Sequence, residues 1–295
     1  MRVLIVGCGY VGLPLGAELA RQGHEVFGMR RSSTGNAELL AVGIRPVAAD
    51  VTKPEDLAKL PGPFDWVVNC VSSSRGGAEE YREVYLQGTR NLLAWLAATP
   101  PKKFIYTGST SVYGQTDGST VDESSPVEPS SETGRVLVET ENVLLDAAQQ
   151  KNFPAVILRV AGIYGPGRGH LFQQYLRNEA AITGKGERFI NMIHLDDVVG
   201  AAIAALQAGQ PGATYNVTDD EPVTQIEFFR WLSQTLGKPM PPFAPETEKP
   251  VRKRSLTNKK IQNLRLKTEL GYRLKYPDFR AGYTAEIQRL ALSPN

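Results

Sequence analysis

A glycine motif placed directly after the first apolar run constrains this chain more than any other feature. Residues Val3 to Val6 predict a buried strand, a Gly-x-Gly-x-x-Gly motif runs from Gly7 to Gly12, and residues 11–22 carry apolar side chains at helical spacing. Such glycines allow a tight turn, a close approach of a ligand to the backbone, and packing of the helix on the strand. The first amides of the helix then face the turn and suit a pyrophosphate. We therefore expect a dinucleotide here; the alternative is a tight turn without a ligand.

Short apolar runs alternate with helical patterns through the first half of the chain. The predicted strands are Val3 to Val6, Glu25 to Met29, Arg45 to Ala48, Trp66 to Asn69, Phe104 to Thr107 and Ala155 to Val160. The predicted helices are 11–22, 35–43, 53–59, 79–98 and 132–150. This alternation is typical of a parallel sheet with crossover helices on both faces. We expect an α/β fold with a Rossmann-like, doubly wound parallel sheet.

The pattern changes in the second half. Residues 165–170 are rich in Gly, Pro and Arg, and the predicted strands become short at 189–194 and 214–217. A proline-rich stretch from Pro239 to Pro250 separates two helical patterns. We therefore expect two parts. They are a dinucleotide-binding domain over residues 1–160 and a smaller C-terminal α/β lobe over residues 161–295 that binds substrate, with some segments returning to the first domain.

Composition limits the partners that the chain can have. The chain has 41% hydrophobic residues, 22% charged residues and a formal charge of +2. This net charge is too small to attract the whole protein electrostatically to nucleic acid or to an anionic membrane. No apolar stretch is long enough to span a membrane, and the glycines after Val6 interrupt the run that a signal peptide needs. The two cysteines, Cys8 and Cys70, are too few for a disulfide framework. We expect a cytoplasmic protein.

The residues after the second strand indicate which dinucleotide is bound. Sites for NAD usually have an Asp or Glu about 20 residues after the glycines, where it bonds the ribose 2′-hydroxyl. This chain has Arg30, Arg31 and Ser32 at that place. Guanidinium and hydroxyl donors suit a 2′-phosphate, so we predict NADP as the cofactor rather than NAD. The alternative is that both arginines are solvated surface charges.

Two later strands are also expected to contribute to the cofactor site. Asp50 ends the third strand, where it either accepts a hydrogen bond from the adenine amino group or caps the next helix. Cys8 and Cys70 are expected at neighbouring strand ends, as small residues packed beneath the cofactor. The cofactor contacts expected from these segments are Gly7, Gly9, Tyr10, Val11, Gly12, Arg30, Arg31, Ser32, Asp50, Val51, Cys70 and Val71.

Five segments resemble the motifs of the extended short-chain dehydrogenase/reductases, the NAD-dependent epimerase/dehydratase family. They are Gly7 to Gly12, Gln87 to Leu93, Phe104 to Gly114, Leu158 to Gly167 and Ile193 to Val198. The stretch from Gly134 to Leu137 is further similar to an atypical bacterial branch, the YeeZ type. The resemblance implies an NADP-binding oxidoreductase or epimerase. Its small-molecule substrate would be a nucleotide-sugar or a similar hydroxyl or carbonyl compound.

The active site of that family is an Asn-Ser-Tyr-Lys set, and this chain departs from it. The resemblance places Ser109 on the Ser and Tyr85 on the Asn, whereas Ser131 and Arg135 occupy the Tyr and Lys positions. A serine hydroxyl without an activating base is a poor proton donor, so Ser131 cannot replace the tyrosine. We expect Arg135 to contact the cofactor. Thr110-Ser111 stands where dehydratases of the family have an Asp-Glu pair, which disfavours sugar 4,6-dehydration.

Three other residues are candidates for proton transfer. Tyr113 follows Ser109 by four positions, Tyr164 lies after the sixth strand, and His194 lies near the expected cleft. The alternative for each tyrosine is a packed ring with a bonded hydroxyl, and for the histidine a structural place beside a helix cap. We take Ser109, Tyr113 and Tyr164 as the candidate catalytic set. The histidines and cysteines lack the spacing of metal ligands, so no metal site is expected.

Positive charge concentrates near the C-terminus. The segment from Arg252 to Lys275 holds nine Lys or Arg residues and a single acid, Glu269. The resemblance implies that Arg252, Arg254 or Lys260 binds the diphosphate of a substrate, and the alternative is a solvated helix face. Few aromatic residues accompany these charges, which disfavours nucleic acid.

Two functions follow from these observations, an enzyme with an altered acid/base group and a non-catalytic NADP-binding sensor or scaffold. An open, polar cleft that reaches the nicotinamide would favour the enzyme, and a cleft closed by apolar side chains would favour the sensor. The predicted helices 79–98 and 132–150 match those that pair in dimers of the resembled family. A homodimer is therefore a candidate assembly, and no nucleic acid or membrane partner is expected.

Overall fold

The structure is a computed structural model that describes residues 1–74, 76–245 and 257–292. Its strands are β1 (Arg2–Val6), β2 (Glu25–Arg30), β3 (Ile44–Ala48), β4 (Trp66–Asn69), β5 (Lys103–Ser109), β6 (Thr120–Val121), β7 (Ala155–Val160), β8 (Gly162–Tyr164), β9 (Phe189–Ile190), β10 (Met192–His194), β11 (Thr214–Val217), β12 (Val223–Thr224) and β13 (Lys260–Ile261). Its α-helices are α1 (Gly12–Arg21), α2 (Asn36–Ala41), α3 (Pro54–Leu57), α4 (Ala78–Tyr81), α5 (Gly88–Leu96), α6 (Glu132–Lys151), α7 (His170–Leu176), α8 (Leu195–Ala208), α9 (Gln225–Leu236), α10 (Leu264–Thr268) and α11 (Phe279–Leu292).

Seven parallel strands form the main sheet in the order β11-β7-β5-β4-β1-β2-β3. The six strands predicted in the first half of the chain all belong to it. The strand order reverses at β1, whose neighbours are β2 and β4. Ligands of doubly wound sheets bind at the carboxyl ends of the strands beside such a switch point. The predicted fold class, a Rossmann-like doubly wound sheet, is confirmed.

Alternate residues of β1 face two separate apolar layers. Val3 and Ile5 pack with residues of α1 and α8, whereas Leu4 and Val6 pack with residues of α5 and α6. All four of these β1 side chains are fully buried. Burial on both faces is typical of parallel sheets covered by crossover helices, and it leaves only the strand ends open to a ligand.

Beyond β7, part of the chain returns to the main sheet through α8 and β11, and the remainder builds a lobe above the strand ends. That lobe has an aromatic core of side chains from β8, α7, α9 and α11, including Tyr164, Phe172, Phe228, Phe279 and Tyr283. Small two-stranded sheets join β8 to β10, β9 to β12, and β6 to β13.

Two predicted elements are divided in the structure. The strand predicted over 189–194 splits at Asn191, whose amide group bonds the backbone of Lys259 and Ile261, so that β9 and β10 pair with different partners. The helix predicted over 79–98 contains a π-helical stretch at Arg82–Gln87 between α4 and α5. The predicted proline stretch from Pro239 to Pro250 lies partly outside the described residues. None of the described helices has the length and apolar character to span a membrane.

Candidate functional site

The glycine motif has the geometry of a phosphate-binding turn. Gly7 has a φ of +84°, and a Cβ atom there would lie 2.8 Å from the backbone of Val71. A Cβ at Gly12 would lie 2.6 Å from the carbonyl oxygen of Gly7, which explains why α1 packs so closely on β1. A Cβ at Gly9 would meet no atom within 4 Å, because it would point into open space. The helix α1 begins without a side-chain cap, so its first amides suit the phosphates of a dinucleotide.

This open space belongs to a cavity of about 820 Å³ at the carboxyl ends of the main-sheet strands. One wall is the glycine motif with the ends of β2, β3 and β4, and the far wall is the lobe above the sheet. Ser109 at the end of β5 lies between them. Of the cofactor contacts predicted from the sequence, the cavity brings together Gly7, Gly9, Tyr10, Val11, Arg30, Arg31, Asp50, Val51, Cys70 and Val71. Gly12, Ser32 and Arg135 are not among its lining residues.

The two arginines at the end of β2 are held differently. Arg30 donates to the carbonyl oxygen of Cys8 over 2.6 Å and forms an ion pair with Glu38 over 3.0 Å. Arg31 is exposed, and within residues 1–74, 76–245 and 257–292 its guanidinium hydrogen-bonds only the hydroxyl of Ser74, over 3.5 Å. Arg30 therefore braces the glycine motif, whereas Arg31 has donors available to a ligand.

Asp50 is not the N-cap of the helix that follows it, which was one of the two roles expected for it. Its Oδ1 atom accepts hydrogen bonds from the amide and hydroxyl of Thr52, while the N-cap of α3 is Lys53. Asp50 thus closes the turn after β3 and still lines the cavity. Val51 is 5% exposed and packs beside Gly88, where a Cβ would lie 2.9 Å from it.

Both cysteines are free and buried beneath the cavity floor. Burial raises the pKa of the Cys8 thiol to about 11 and that of the Cys70 thiol to about 12. Thiolates are the reactive form, so neither side chain is suited to redox chemistry near neutral pH. The small side chain of Cys8 is needed for packing against β2. A Cβ at Gly28 of that strand would lie 3.0 Å from the Cys8 sulfur, so the space there is tight.

The residues at the family's Tyr and Lys positions serve the start of α6. Ser131 is the N-cap, and its hydroxyl oxygen accepts the amide hydrogen of Gly134 over 3.1 Å. Arg135 is exposed and donates to the carbonyl oxygen of Ser130. This hydrogen bond directs the Arg135 side chain back along the first turn of α6, and Arg135 is not among the residues that line the cavity.

A substitution separates the capping role of Ser131 from a catalytic one. We expect Ser131→Ala to lower the free energy of unfolding by about 1 kcal/mol, the usual cost of removing a serine N-cap. Cofactor affinity should be unchanged, since Ser131 does not line the cavity. Denaturant unfolding and calorimetry measure the two quantities. A loss of cofactor affinity without a loss of stability would contradict this assignment.

Tyr113, a candidate proton donor from the sequence, is not among the residues that line the cavity. It is fully buried, and its hydroxyl donates to Oδ1 of Asn216 over 2.8 Å while accepting from Arg159 over 2.8 Å. Arg159 also forms a buried ion pair with Glu141 over 2.8 Å. This network joins α6, β7 and β11, and a 3₁₀ turn at Thr110–Val112 directs Tyr113 into it.

Tyr164 lines the cavity with its ring, but its hydroxyl lies elsewhere. A Cβ at Gly282 of α11 would lie 2.0 Å from the hydroxyl oxygen, and the ring stacks on Tyr283 with centroids 4.2 Å apart. Burial raises the pKa of Tyr164 well above its ordinary value. His194 caps α8 through Nδ1, which accepts the amide hydrogen of Asp196. The rings of Tyr164 and His194 pack against each other in the lobe, with centroids 5.3 Å apart.

Ser109 and Tyr85 both line the cavity and are half-buried. The hydroxyl oxygen of Ser109 accepts the amide hydrogen of Ser111 over 3.2 Å, which fixes its position at the end of β5. The hydroxyl oxygen of Tyr85 accepts the amide hydrogen of Ser73 over 3.2 Å. Tyr85 stands on the π-helical stretch, a helix form that often occurs at functional sites.

Sequence reasoning did not select Tyr85 or Arg168 for the cavity, yet both line it. Tyr85 was noted only because it stands at the family's Asn position. Arg168 lies in the glycine-rich segment 165–170, where the sequence signal indicated only a loop. Its guanidinium carbon lies 4.1 Å from the centre of the Tyr10 ring.

The basic C-terminal segment contributes little to the described cavity walls. Arg252 and Arg254 lie outside the described residues. The ammonium group of Lys260 lies over the Phe189 ring, 5.3 Å from its centroid. Lys259 is buried, donates to the carbonyl oxygen of Tyr113, and has its pKa lowered by burial to about 8.

Comparisons with known proteins agree with the fold and the glycine motif. Residues 3–218 match the model of the NAD dependent epimerase/dehydratase family. The chain is 32% identical over 287 residues to Protein YeeZ of Escherichia coli strain K12, covering 94% of this chain and 97% of that protein. It is 25% identical over 313 residues to the 3-diazoavenalumate denitrifying reductase of a Streptomyces species, covering 97% of this chain and 100% of that protein.

A solved structure of a functionally unknown conserved protein from Silicibacter pomeroyi is also similar. It has a TM-score of 0.80 and 30% sequence identity, and the match covers 98% of both chains. The family match spans the glycine motif and the main sheet through β11, and the similarity to Protein YeeZ spans most of the chain. The chain therefore belongs to the NAD-dependent epimerase/dehydratase family of extended short-chain dehydrogenase/reductases and, within it, to the YeeZ type.

Proposed function

We propose that this protein is an NADP-dependent oxidoreductase that acts on a hydroxyl or carbonyl group of a small-molecule substrate. One observation carries the proposal: a single open cavity includes the glycine motif, Ser109 and residues of the lobe such as Gln173 and Asn191. Its volume of about 820 Å³ is within the range of small-molecule sites. Such a cavity supports an enzyme, because a sensor needs no space for a second ligand beside the cofactor.

Ser109 and Tyr85 can share the work of orienting the substrate oxygen and transferring its proton. When bound, the cofactor supplies or accepts a hydride at its nicotinamide ring. Ser109, anchored by the amide of Ser111, donates a hydrogen bond to the reacting substrate oxygen. In the direction of carbonyl reduction, Tyr85 gives that oxygen its proton and regains one from solvent; in the direction of alcohol oxidation, it removes the proton.

The substrate class and the setting are part of the proposal. Nucleotide-sugars are the first compounds to test, because the family is one of epimerases and dehydratases. Apolar carbonyl compounds come next, because apolar side chains including Leu171, Ile190 and Met192 line the lobe wall. We place the protein in the cytoplasm, since its two cysteines are free thiols, and we propose a homodimer as its assembly.

A non-catalytic NADP sensor is the second candidate, and one observation favours it. Ser131 and Arg135, at the Tyr and Lys positions, cap and flank α6 instead of reaching the cavity. The test incubates the protein with NADPH or NADP and a metabolite panel, following reduced-nicotinamide absorbance and, for redox-neutral epimerisation, NMR. Turnover on any substrate supports the enzyme, whereas binding without turnover across the panel supports the sensor.

Preference for NADP over NAD is expected, and Arg31 should account for most of it. We expect Arg31→Ala to weaken NADP binding about tenfold through loss of a charge-assisted hydrogen bond, and to leave NAD binding unchanged. Arg30→Ala should weaken both, because Arg30 also braces the carbonyl of Cys8. Calorimetric titration with both cofactors measures these effects. The prediction would be contradicted if the wild-type protein bound NADP and NAD equally well. It would also be contradicted if the preference for NADP survived in both Arg31→Ala and Arg30→Ala.

A further inference from the structure

The loop from Gly165 to Gly169 lies against the glycine motif. Its conformation is closed by two backbone hydrogen bonds between Gly165 and Arg168, over 2.9 and 3.5 Å. Gly165, Gly167 and Gly169 all have positive φ angles, of 144°, 71° and 118°, which side chains other than glycine rarely adopt. The loop is therefore a built turn that fixes where Arg168 projects.

Tyr10 joins this loop to the glycine motif. A Cβ at Gly165 would lie 3.2 Å from the Tyr10 hydroxyl oxygen, so the glycine leaves room for the tip of the ring. The Arg168 guanidinium stacks over the ring face, 4.1 Å from its centre, and cation–π contacts favour that position. Burial raises the pKa of the Tyr10 phenol to about 12, so the ring remains neutral beneath the guanidinium.

Arg168 carries a charge that the described part of the protein does not neutralise. It is exposed and lines the cavity, and no described Asp or Glu forms an ion pair with it. The nearby Glu286 is already paired with Arg289 and lies 3.4 Å from His194. A guanidinium that stacks on the residue next to Gly9 and pairs with no described carboxylate suits an anion held by the adjacent amides.

We propose that Arg168 is a phosphate clamp, which closes over the glycine motif and binds the pyrophosphate of the cofactor from the side of the lobe. This inference rests on the proposed function, since it assumes that the cavity binds NADP. The amides of α1 hold the pyrophosphate from below, and Arg168 neutralises it from above. Because Arg168 precedes α7 of the lobe, cofactor binding then fixes part of the substrate wall.

Calorimetry with three probes tests the clamp. NADP and ADP-ribose contain the pyrophosphate, whereas adenosine 2′-monophosphate contains only the phosphate expected near Arg31. We expect Arg168→Met to weaken NADP and ADP-ribose roughly tenfold and to leave adenosine 2′-monophosphate unchanged. Arg168→Lys should fall between, because it retains the charge without the planar donors. The matched control is Arg177→Met, an exposed arginine outside the cavity, which should change nothing.

Each outcome decides between the clamp and its alternatives. An unchanged Kd for NADP in Arg168→Met overturns the clamp, and if UDP binding to the NADP-saturated protein is weakened instead, Arg168 recognises a substrate phosphate. A wild-type protein that binds neither NADP nor NAD refutes the proposed function and the clamp together. The salt dependence of the wild-type Kd should also be steeper than that of Arg168→Met, and equal slopes count against the clamp.

Discussion

Gly9→Val is expected to abolish cofactor binding while the protein keeps its fold. The added side chain would enter the cavity, because a Cβ at Gly9 meets no protein atom within 4 Å. No neighbouring residue is displaced, and Gly9 is not among the glycines with a positive φ, so the folded state is not strained. The space taken is the space in which a pyrophosphate would approach the backbone.

Calorimetry and thermal unfolding together measure this result. Gly9→Val should unfold cooperatively near the wild-type temperature and show no heat of binding with NADP, NAD or ADP-ribose. Gly9→Ala is the graded control, since a single methyl group takes less of the space and should weaken binding without removing it. Wild-type affinity in Gly9→Val would mean that the glycine motif is only a turn.

The main sheet and the glycine-motif end of the cavity were predictable because their signals are local. An apolar run followed by Gly7, Gly9 and Gly12 specifies a strand, a turn and a helix within about a dozen residues. The short strands β6, β8, β12 and β13 have two or three residues each, too few for periodicity to indicate them. They form only because tertiary contacts in the lobe bring their partners together.

The Ser109 end of the cavity was harder to predict, because its composition depends on where side chains point. Tyr113 follows Ser109 by four residues, but the 3₁₀ turn between them sends its ring into the network of Arg159 and Asn216. The direction of the Arg135 side chain depends on where α6 begins, and α6 begins only after the Ser131 cap. In both cases one local turn, invisible to spacing arguments, decides whether a side chain reaches the ligand.

Four tyrosines line the cavity, and their surroundings distinguish them as proton donors. The hydroxyl of Tyr164 lies against Gly282, and that of Tyr283 lies close to Gly169, where a Cβ would be 2.8 Å away. Tyr10 has Arg168 stacked on its ring and its hydroxyl against Gly165. Tyr85 differs, because its hydroxyl is oriented by the amide of Ser73 in the loop that follows β4.

Loss of the Tyr85 hydroxyl is therefore expected to slow turnover strongly. Positioned acid/base groups contribute roughly a hundred- to ten-thousandfold to rates, so Tyr85→Phe should lower kcat by that order on any substrate that the protein reduces or oxidises. Ser109→Ala should also lower kcat, because its hydroxyl orients the reacting oxygen. The Kd for NADPH should stay near the wild-type value in both variants, since neither hydroxyl is assigned to the cofactor.

Two matched substitutions make this experiment decisive. Tyr164→Phe removes a hydroxyl that packs against Gly282, and it should leave kcat within a few-fold of the wild type. Tyr113→Phe removes a hydroxyl from the buried Arg159 network, so it should lower stability more than the rate. If turnover instead survives in Tyr85→Phe and fails in Tyr164→Phe, the proton comes from the lobe wall, and the hydroxyl of Tyr164 must leave Gly282 during the reaction. That outcome would require the aromatic core around Tyr283 to open when substrate binds, which hydrogen exchange across α11 would detect.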